Sequence, residues 1–400
     1  MHTMRGAARG SAAGFTLIEL LVAMGLLTLF GSFLVQLMST SVGLFHEGER
    51  GQDLADRADA AARAIERTLG DMLGPSTADF AGASPSARLL VQWVASGPAQ
   101  GAPPGSATLV QALRAAVRID ERVEERLLRV AFAEEAREAG TTAAAVEERL
   151  AELIAAAPRH GRAAMLLVAR PAGDREGAFF TVRRLLQLPG HRIPVDQRRE
   201  VDLMEVEPGG PDLPLAVVDR LGEVVAEDVL HLEYALWSQF TRSFDHRIGE
   251  GGPEYCWDSA RAGLFAESDD PRATFTLDVG PESLTDPTDD VYPRWIKVTI
   301  VVASRAGSEA LLRTDLRAGE RTAEVLDESL LPDPRDVPFV KIGREWVKVG
   351  SLEGRSLRGL LRGQRGTKAL DHPAGTRVRV GRTVELYVRV PHGRDCWNDD

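Results

Sequence analysis

The sequence has little cysteine and carries none of the common catalytic signatures. Two cysteines in 400 residues exclude a disulfide-built scaffold and a four-cysteine zinc site. There is no GxSxG elbow, HExxH pair, Walker A loop or dinucleotide fingerprint. No spacing of Ser, His and Asp singles out a triad, so the chain reads as a non-enzyme. Net positive charge is lacking too. With 48 Lys plus Arg against 59 Asp plus Glu the net charge is −11, which argues against a protein built mainly to bind nucleic acid. Apolar residues are not scarce: a hydrophobic share of 44% suffices for a folded core. The length suggests one elaborated domain or two to three units.

Residues 1–14 lack any acid and carry Arg5 and Arg9, and Phe15–Phe45 holds a single charge, Glu19. Roughly 20 apolar residues span a bilayer core, so this run is a transmembrane-helix candidate. Arg5 and Arg9 would keep the N-terminus cytoplasmic and leave the rest of the chain outside the inner membrane. A charge inside the run costs about 2.5–3.5 kcal/mol. Glu19 is therefore either a protonated carboxylate near the membrane surface or one half of an ion pair. A cut between Gly14 and Phe15 would create an α-amine four residues before it.

Gly14-Phe15-Thr16-Leu17-Ile18-Glu19-Leu20-Leu21-Val22-Ala23-Met24, behind its short basic leader, resembles the type IV prepilin cleavage and methylation motif. An ordinary signal peptide is cut after its apolar stretch, not before it. The resemblance implies that a prepilin peptidase cuts after Gly14 and N-methylates Phe15. It also implies that Glu19 pairs with the terminal amine of a neighbouring subunit during fibre assembly, which places this subunit beneath another. The implied partners are other pilin or pseudopilin subunits, an inner-membrane assembly platform and, through residues 15–45, membrane lipid; no cofactor is implied.

Leu54, Ala58, Ala61, Ile65, Leu69 and Met72 recur at steps of three or four. That spacing predicts an amphipathic stem helix over residues 46–74, stopped at Gly74-Pro75. Gly48 and Gly51 are weak points, leaving one helix or two joined by a hinge. Six β-like runs follow: Arg88–Val94, Ala163–Ala169, Phe179–Leu188, Val229–Trp237, Arg294–Ala303 and Thr383–Val390. A long helix ahead of mostly antiparallel strands gives an α+β fold. The Ala-, Glu-, Arg- and Leu-rich residues 109–157 read as an inserted helical hairpin, with Leu113, Val117, Val123, Leu127 and Val130 near one face of its first half. Gly140 and the threonines after it form the joint between the halves. The expected organisation is a leader (1–14), a transmembrane helix (15–45), the stem (46–74), a pilin-like head (75–304), an inserted β module (305–382) and a final strand and tail (383–400).

Glu227-Asp228-Val229-Leu230-His231-Leu232-Glu233-Tyr234, followed by a Trp, and a Pro ahead of Trp295–Val302 resemble the J-class minor pseudopilins of type II secretion and the related W-class minor pilins. The chain is much longer than the usual members. The resemblance implies a pseudopilus subunit supporting protein export, or a minor type IV pilin serving pilus assembly, adhesion or DNA uptake. A signal-anchored periplasmic enzyme is the reading from another class.

Arg362-Gly363-Gln364-Arg365-Gly366-Thr367, with His372, Gly375 and Val378, resembles the signature of a small β module seen in phage-tail and other assembly proteins. His372, between Asp371 and Pro373, reads as a turn residue. Residues 341–382 hold eleven Lys or Arg and three acids, a net of +8 on an otherwise acidic body. This is either a solvated Arg-rich sheet surface or a docking patch, at Arg358, Arg362 and Arg365, for an acidic neighbour, an anionic surface or DNA. Asp286, Asp289 and Asp290, and more weakly Asp269 and Asp270, could offer oxygens to Ca²⁺, but a ligand-spaced loop with a Gly turn is lacking, and a solvated loop is the simpler reading. Cys256 and Cys396 each precede a Trp. In an oxidising periplasm they could form one disulfide; otherwise they are two free thiols.

Overall fold

The computed structural model describes residues 17–73, 89–96, 108–139, 142–172, 178–196, 199–206, 210–238, 243–245, 255–259, 292–303 and 309–391. The chain divides into two compact units, Met1–Asp53 and Leu54–Asp400. Helix α1, Leu17–Gly70, contributes to both. In the second unit Ala58, Ala61, Ile65 and Leu69 are buried, as their spacing on one helix face requires. The helix stops at Gly70, four residues short of the expected Gly74. Leu73 N instead donates to Ala116 O at 2.9 Å and Arg118 N to Asp71 O at 2.7 Å. Met72, read as the last apolar residue of the stem, thus sits in a β-bridge to Val117.

The core sheet of the second unit is antiparallel. Its first strands are β1 (Leu90–Ser96), β2 (Thr108–Arg118), β3 (Arg162–Pro171) and β4 (Phe180–Gln187). A two-residue ribbon, β5 (Ile193–Pro194) with β6 (Glu200–Val201), intervenes before β7 (Glu223–Ser238), β8 (Ser243–Asp245), β9 (Tyr255–Asp258) and β10 (Trp295–Ala303). After an inserted module, the chain returns as β19 (Gly381–Arg389), and the order is β19-β10-β7-β4-β3-β2-β1-β9, with β8 on β7. Each of the six expected β-like runs overlaps a strand of this sheet. β3 is buried on both alternations, so both faces of the sheet are covered there.

The expected helical hairpin at 109–157 is corrected at its start, because Thr108–Arg118 is a strand. Residues 110–117 are buried on both faces, so the strand has no alternation, and its Ala, Leu and Arg content imitates a helix. Helices begin only at α2 (Glu121–Ala131), followed by α3 (Ala133–Ala139) and α4 (Ala143–Ala156). Asp120 caps α2 by accepting from Val123 N at 2.8 Å, and Thr142 caps α4 by accepting from Ala145 N at 3.3 Å. Leu128, Ala136, Leu150 and Ile154 form a small core with Leu188, just after β4, while Val130 is 60% exposed.

The module enters and leaves through two paired strands, since β10 and β19 run in register from Trp295↔Arg389 to Ala303↔Gly381. Between them lie β11 (Ala310–Leu311), β12 (Thr322–Glu324), β13 (Phe339–Ile342), β14 (Glu345–Lys348), β15 (Ser351–Glu353), β16 (Ser356–Arg358), β17 (Leu361–Gln364) and β18 (Arg377–Arg379). They form a five-stranded sheet, β11-β18-β13-β14-β17, and a three-stranded one, β12-β16-β15. The core of the module is its own, built from Leu312, Leu316, Val325, Ile342, Val347 and Val378 among others. At its root a Cβ on Gly381 would lie 2.5 Å from Val302 O and 2.8 Å from Val301 Cγ1. We expect Gly381→Ala to cost about 1–3 kcal/mol through this overpacking. A urea midpoint equal to that of the unaltered chain would refute it.

β7 carries a bulge at its centre. Val301 faces His231 and Val302 faces Val229, so Leu230 is the extra residue. Asp228, just ahead, has φ 54°, in the left-handed region that non-glycine residues rarely adopt. Its carboxylate is held by Arg57 of α1, and Arg57 Nη1 also donates to Ala303 O at 3.3 Å.

Candidate functional site

Two places carry the chemistry that the sequence singles out. The first is the apolar start of α1. Leu20–Val42 spans 23 residues with a mean hydropathy of 2.1 and none of it buried. At about 1.5 Å per residue this is roughly 34 Å, enough to cross a hydrocarbon core of about 30 Å. Three of its hydroxyls turn back on their own helix: Thr28 Oγ1 donates to Met24 O at 3.0 Å, Ser32 Oγ to Thr28 O at 2.6 Å and Thr40 Oγ1 to Gln36 O at 2.9 Å. Such bonds satisfy these three donors within the helix itself, as an apolar surrounding requires. Glu19 lies in α1, one residue before the span. Its side chain, and Gly14 and Phe15 altogether, fall outside the described residues.

The second place is the seam between the core sheet and the module. Leu230, Val301, Ala303 and Trp346 pack together there, with Phe179 and Phe339 against them. Lys341 Nζ donates to Leu230 O, at the β7 bulge, at 2.7 Å and to Ala178 O at 2.6 Å. Lys341 is 1% exposed, and an ammonium that deep needs such acceptors. The rings of Phe180 and Trp346 lie 4.6 and 5.7 Å from it. Arg365 stacks over Phe339 at 4.4 Å and over Trp346 at 4.6 Å, and burial lowers its pKa. His231 meets Trp346 edge-on, with centroids 5.7 Å apart. Its Nε2 is 2.8 Å from Glu233 Oε2. Burial, aided by the charges of Arg365 and Lys341, lowers the imidazole pKa against the raising effect of Glu233, so His231 is neutral at neutral pH.

Glu345 anchors a buried network inside the module and is fully buried. It accepts from Arg362 Nε at 2.8 Å and Nη2 at 2.7 Å, from the Gly363 amide at 2.8 Å and from the Leu370 amide at 3.0 Å. His372 Nε2 lies 2.9 Å away. Burial, the largest single influence, pushes this carboxyl up; the hydrogen bonds from His372, Arg362, Leu370 and Gly363 together outweigh it and hold the pKa at about 2.

These positions correct two expectations. Arg358, Arg362 and Arg365 do not form one exposed patch. Arg358 is a surface residue paired with Glu353 at 2.9 Å, Arg362 is 7% exposed and bound to Glu345, and Arg365 lies in the seam. The module's arginines are partly internal because Glu345 and the aromatic rings draw them inward. His372 is a buried partner of Glu345 in a bridge to Leu316, not a simple turn residue. Cys256 lies in β9, but its side chain, Cys396, Asp269, Asp270 and Asp286–Asp290 fall outside the described residues. Among the described residues no cluster of three metal-ligating side chains occurs. Sequence reasoning missed Lys341, Glu345 and the Arg57–Asp228 pair. The available signal was a charge set among buried apolar neighbours in short strands, as in Phe339-Val340-Lys341-Ile342.

Residues 9–35 match the family model of the prokaryotic N-terminal methylation motif. No curated protein and no solved structure matches the chain. With one apolar N-terminal helix among the described residues, the motif fits an inner-membrane-anchored, pilin-like subunit. The chain thus carries the prepilin-type N-terminus of a type IV pilin-like protein, which implies processing by a prepilin peptidase and assembly with other pilins.

Proposed function

We propose that the chain is a minor pilin-like subunit of a type II secretion pseudopilus, closest to the J class, which assembles through α1 and supports protein export. The prepilin-type segment at residues 9–35, running into the apolar stretch Leu20–Val42, carries this reading. The two J-like segments support it, since they form β7 and β10, paired neighbours inside the core sheet. The mechanism is assembly. The apolar helix stores the subunit in the bilayer, and extraction into a fibre moves its apolar surface from lipid onto neighbouring helices without exposing it to water. Glu19 offsets its desolvation by pairing with the N-terminal amine of a neighbour. The N-terminus faces the cytoplasm before cleavage and the head lies in the periplasm, where Cys256 and Cys396 form one disulfide.

N-terminal sequencing of the mature protein should begin at N-methyl-Phe15. Glu19→Ala should still be cleaved yet be nearly absent from purified fibres; normal incorporation would contradict the proposal. Deletion should abolish protein export. A deletion that spares export but removes pili would replace the pseudopilus with a minor type IV pilus role.

A further inference from the structure

The core sheet has two ends, and they differ. At one, β9 is four residues long and its pairing with β1 is broken by a bulge. At the other, β19 runs for nine residues in unbroken register on β10. Among the described residues no strand lies on its far side. Native sheets commonly blunt such an edge with proline, a bulge or an inward-pointing charge. Thr383–Arg389 has none of these: Val384, Leu386 and Val388 face the core, and the first two are only partly buried there.

The backbone fixes which residues present their polar groups to the open edge. Val390 N donates to Arg294 O, just ahead of β10, at 3.1 Å. Hydrogen-bonding direction alternates along a strand, so Val388, Leu386 and Val384 also bond towards β10. The N–H and C=O of Thr383, Glu385, Tyr387 and Arg389 therefore point outward. All four side chains are exposed, Tyr387 at 54%. Glu385 Oε1 holds Lys297 Nζ at 2.7 Å, and its Oε2 lies 3.4 Å from the Tyr387 hydroxyl. A carboxylate with these contacts keeps acceptor sites for a second cation. Arg389 makes no ion pair among the described residues.

The run Glu385-Leu386-Tyr387-Val388-Arg389 is complementary to itself read backwards. In an antiparallel pair with a two-fold axis at Tyr387, Glu385 faces Arg389 of the second copy, Leu386 faces Val388 and Tyr387 faces Tyr387. Opposite charges and aromatic rings directly across a rung attract. An axis at Glu385 sets carboxylate against carboxylate, and one at Leu386 brings neither charge to an opposite one. We infer that two copies of this chain pair through β19, antiparallel about Tyr387. About six backbone hydrogen bonds form at the rungs of Glu385, Tyr387 and Arg389, and the added strand covers Val384 and Leu386. An isologous contact of this kind closes on itself, so it removes the edge as a template for wider sheet growth. The inference rests on the second unit and does not depend on the role of α1.

The test uses the full-length protein in detergent under mild oxidation, with every bond located by mass mapping so that Cys256 and Cys396 are told apart from introduced sulfurs. Facing Cα atoms on a hydrogen-bonded rung lie about 5.5 Å apart, within disulfide reach. Tyr387→Cys should link to itself between copies. Glu385→Cys and Arg389→Cys should each fail to do so alone, yet link to one another when the two variants are mixed. In sedimentation of the chain without introduced cysteines, Arg389→Glu should raise the dissociation constant of the pair about tenfold, while Arg389→Lys leaves it nearly unchanged. A Tyr387→Cys protein that stays unlinked, or equal linking by all three single variants, overturns the inference. So does association that Arg389→Glu leaves untouched, the result expected if α1 alone holds copies together. A chain that sediments as a monomer overturns it too, and leaves the edge to a strand from another protein.

Discussion

Glu345→Ala should destabilise the inserted module by about 3–5 kcal/mol, the usual cost of removing one member of a buried ion pair. Arg362, at 7% side-chain exposure, would keep its charge and lose both carboxylate contacts. His372 and the amides of Gly363 and Leu370 would lose their acceptor in the same step. Urea denaturation of the full chain measures this, and a shift below about 1 kcal/mol would sink the prediction. The same carboxylate sets an acid dependence. Its folded pKa of about 2 lies below the ordinary 4.5, so the unfolded chain takes up a proton first as pH falls. The stabilisation is fully present above pH 4.5 and is lost as pH drops towards 2. Over that window the module should lose about 3 kcal/mol. In Glu345→Gln this part of the acid dependence should vanish.

Lys341→Met should loosen the module from the core sheet while leaving the module folded. Methionine keeps most of the side-chain volume, so the loss is chiefly that of the two donors to Ala178 O and Leu230 O. Hydrogen bonds from a charged group contribute about 1.5–3 kcal/mol each, and both carbonyls would stay buried without that partner, so a total near 3 kcal/mol or more is expected. Hydrogen exchange should accelerate along β13 and at the β7 bulge, where the clasp is made, and stay slow in β3, which is buried from Ala163 to Arg170. Uniform acceleration across both would show that Lys341 supports the whole fold rather than the seam.

The parts legible in the sequence are those where local chemistry and burial agree. The stem residues Ala58, Ala61, Ile65 and Leu69 are buried at helical spacing. Val229–Trp237 lies within β7, and Arg294–Ala303 is β10 but for its first residue, because β-branched and aromatic residues mark them. Thr108–Arg118 misleads because both its faces are covered, which erases the alternation that identifies a strand. Arg362 and Arg365 read as surface charges because their partners arrive from elsewhere: Glu345 seventeen positions away, and the Phe339 ring from β13. The Arg57–Asp228 pair spans a sequence separation of 171. No local pattern reports a contact of that kind.

The pairing of Ala303 with Gly381 gives the module a single doorway. The two ends of the excursion face each other on the last rung of one hairpin, so a tight two-residue turn of the Asn-Gly kind could close the gap in its place. The core sheet would keep every rung between β10 and β19, and Leu230, Val301 and Phe179, the sheet's side of the seam, would be uncovered and need polar replacements. The same site would accept another small domain whose termini lie side by side. The head is thus a chassis with one interchangeable cartridge.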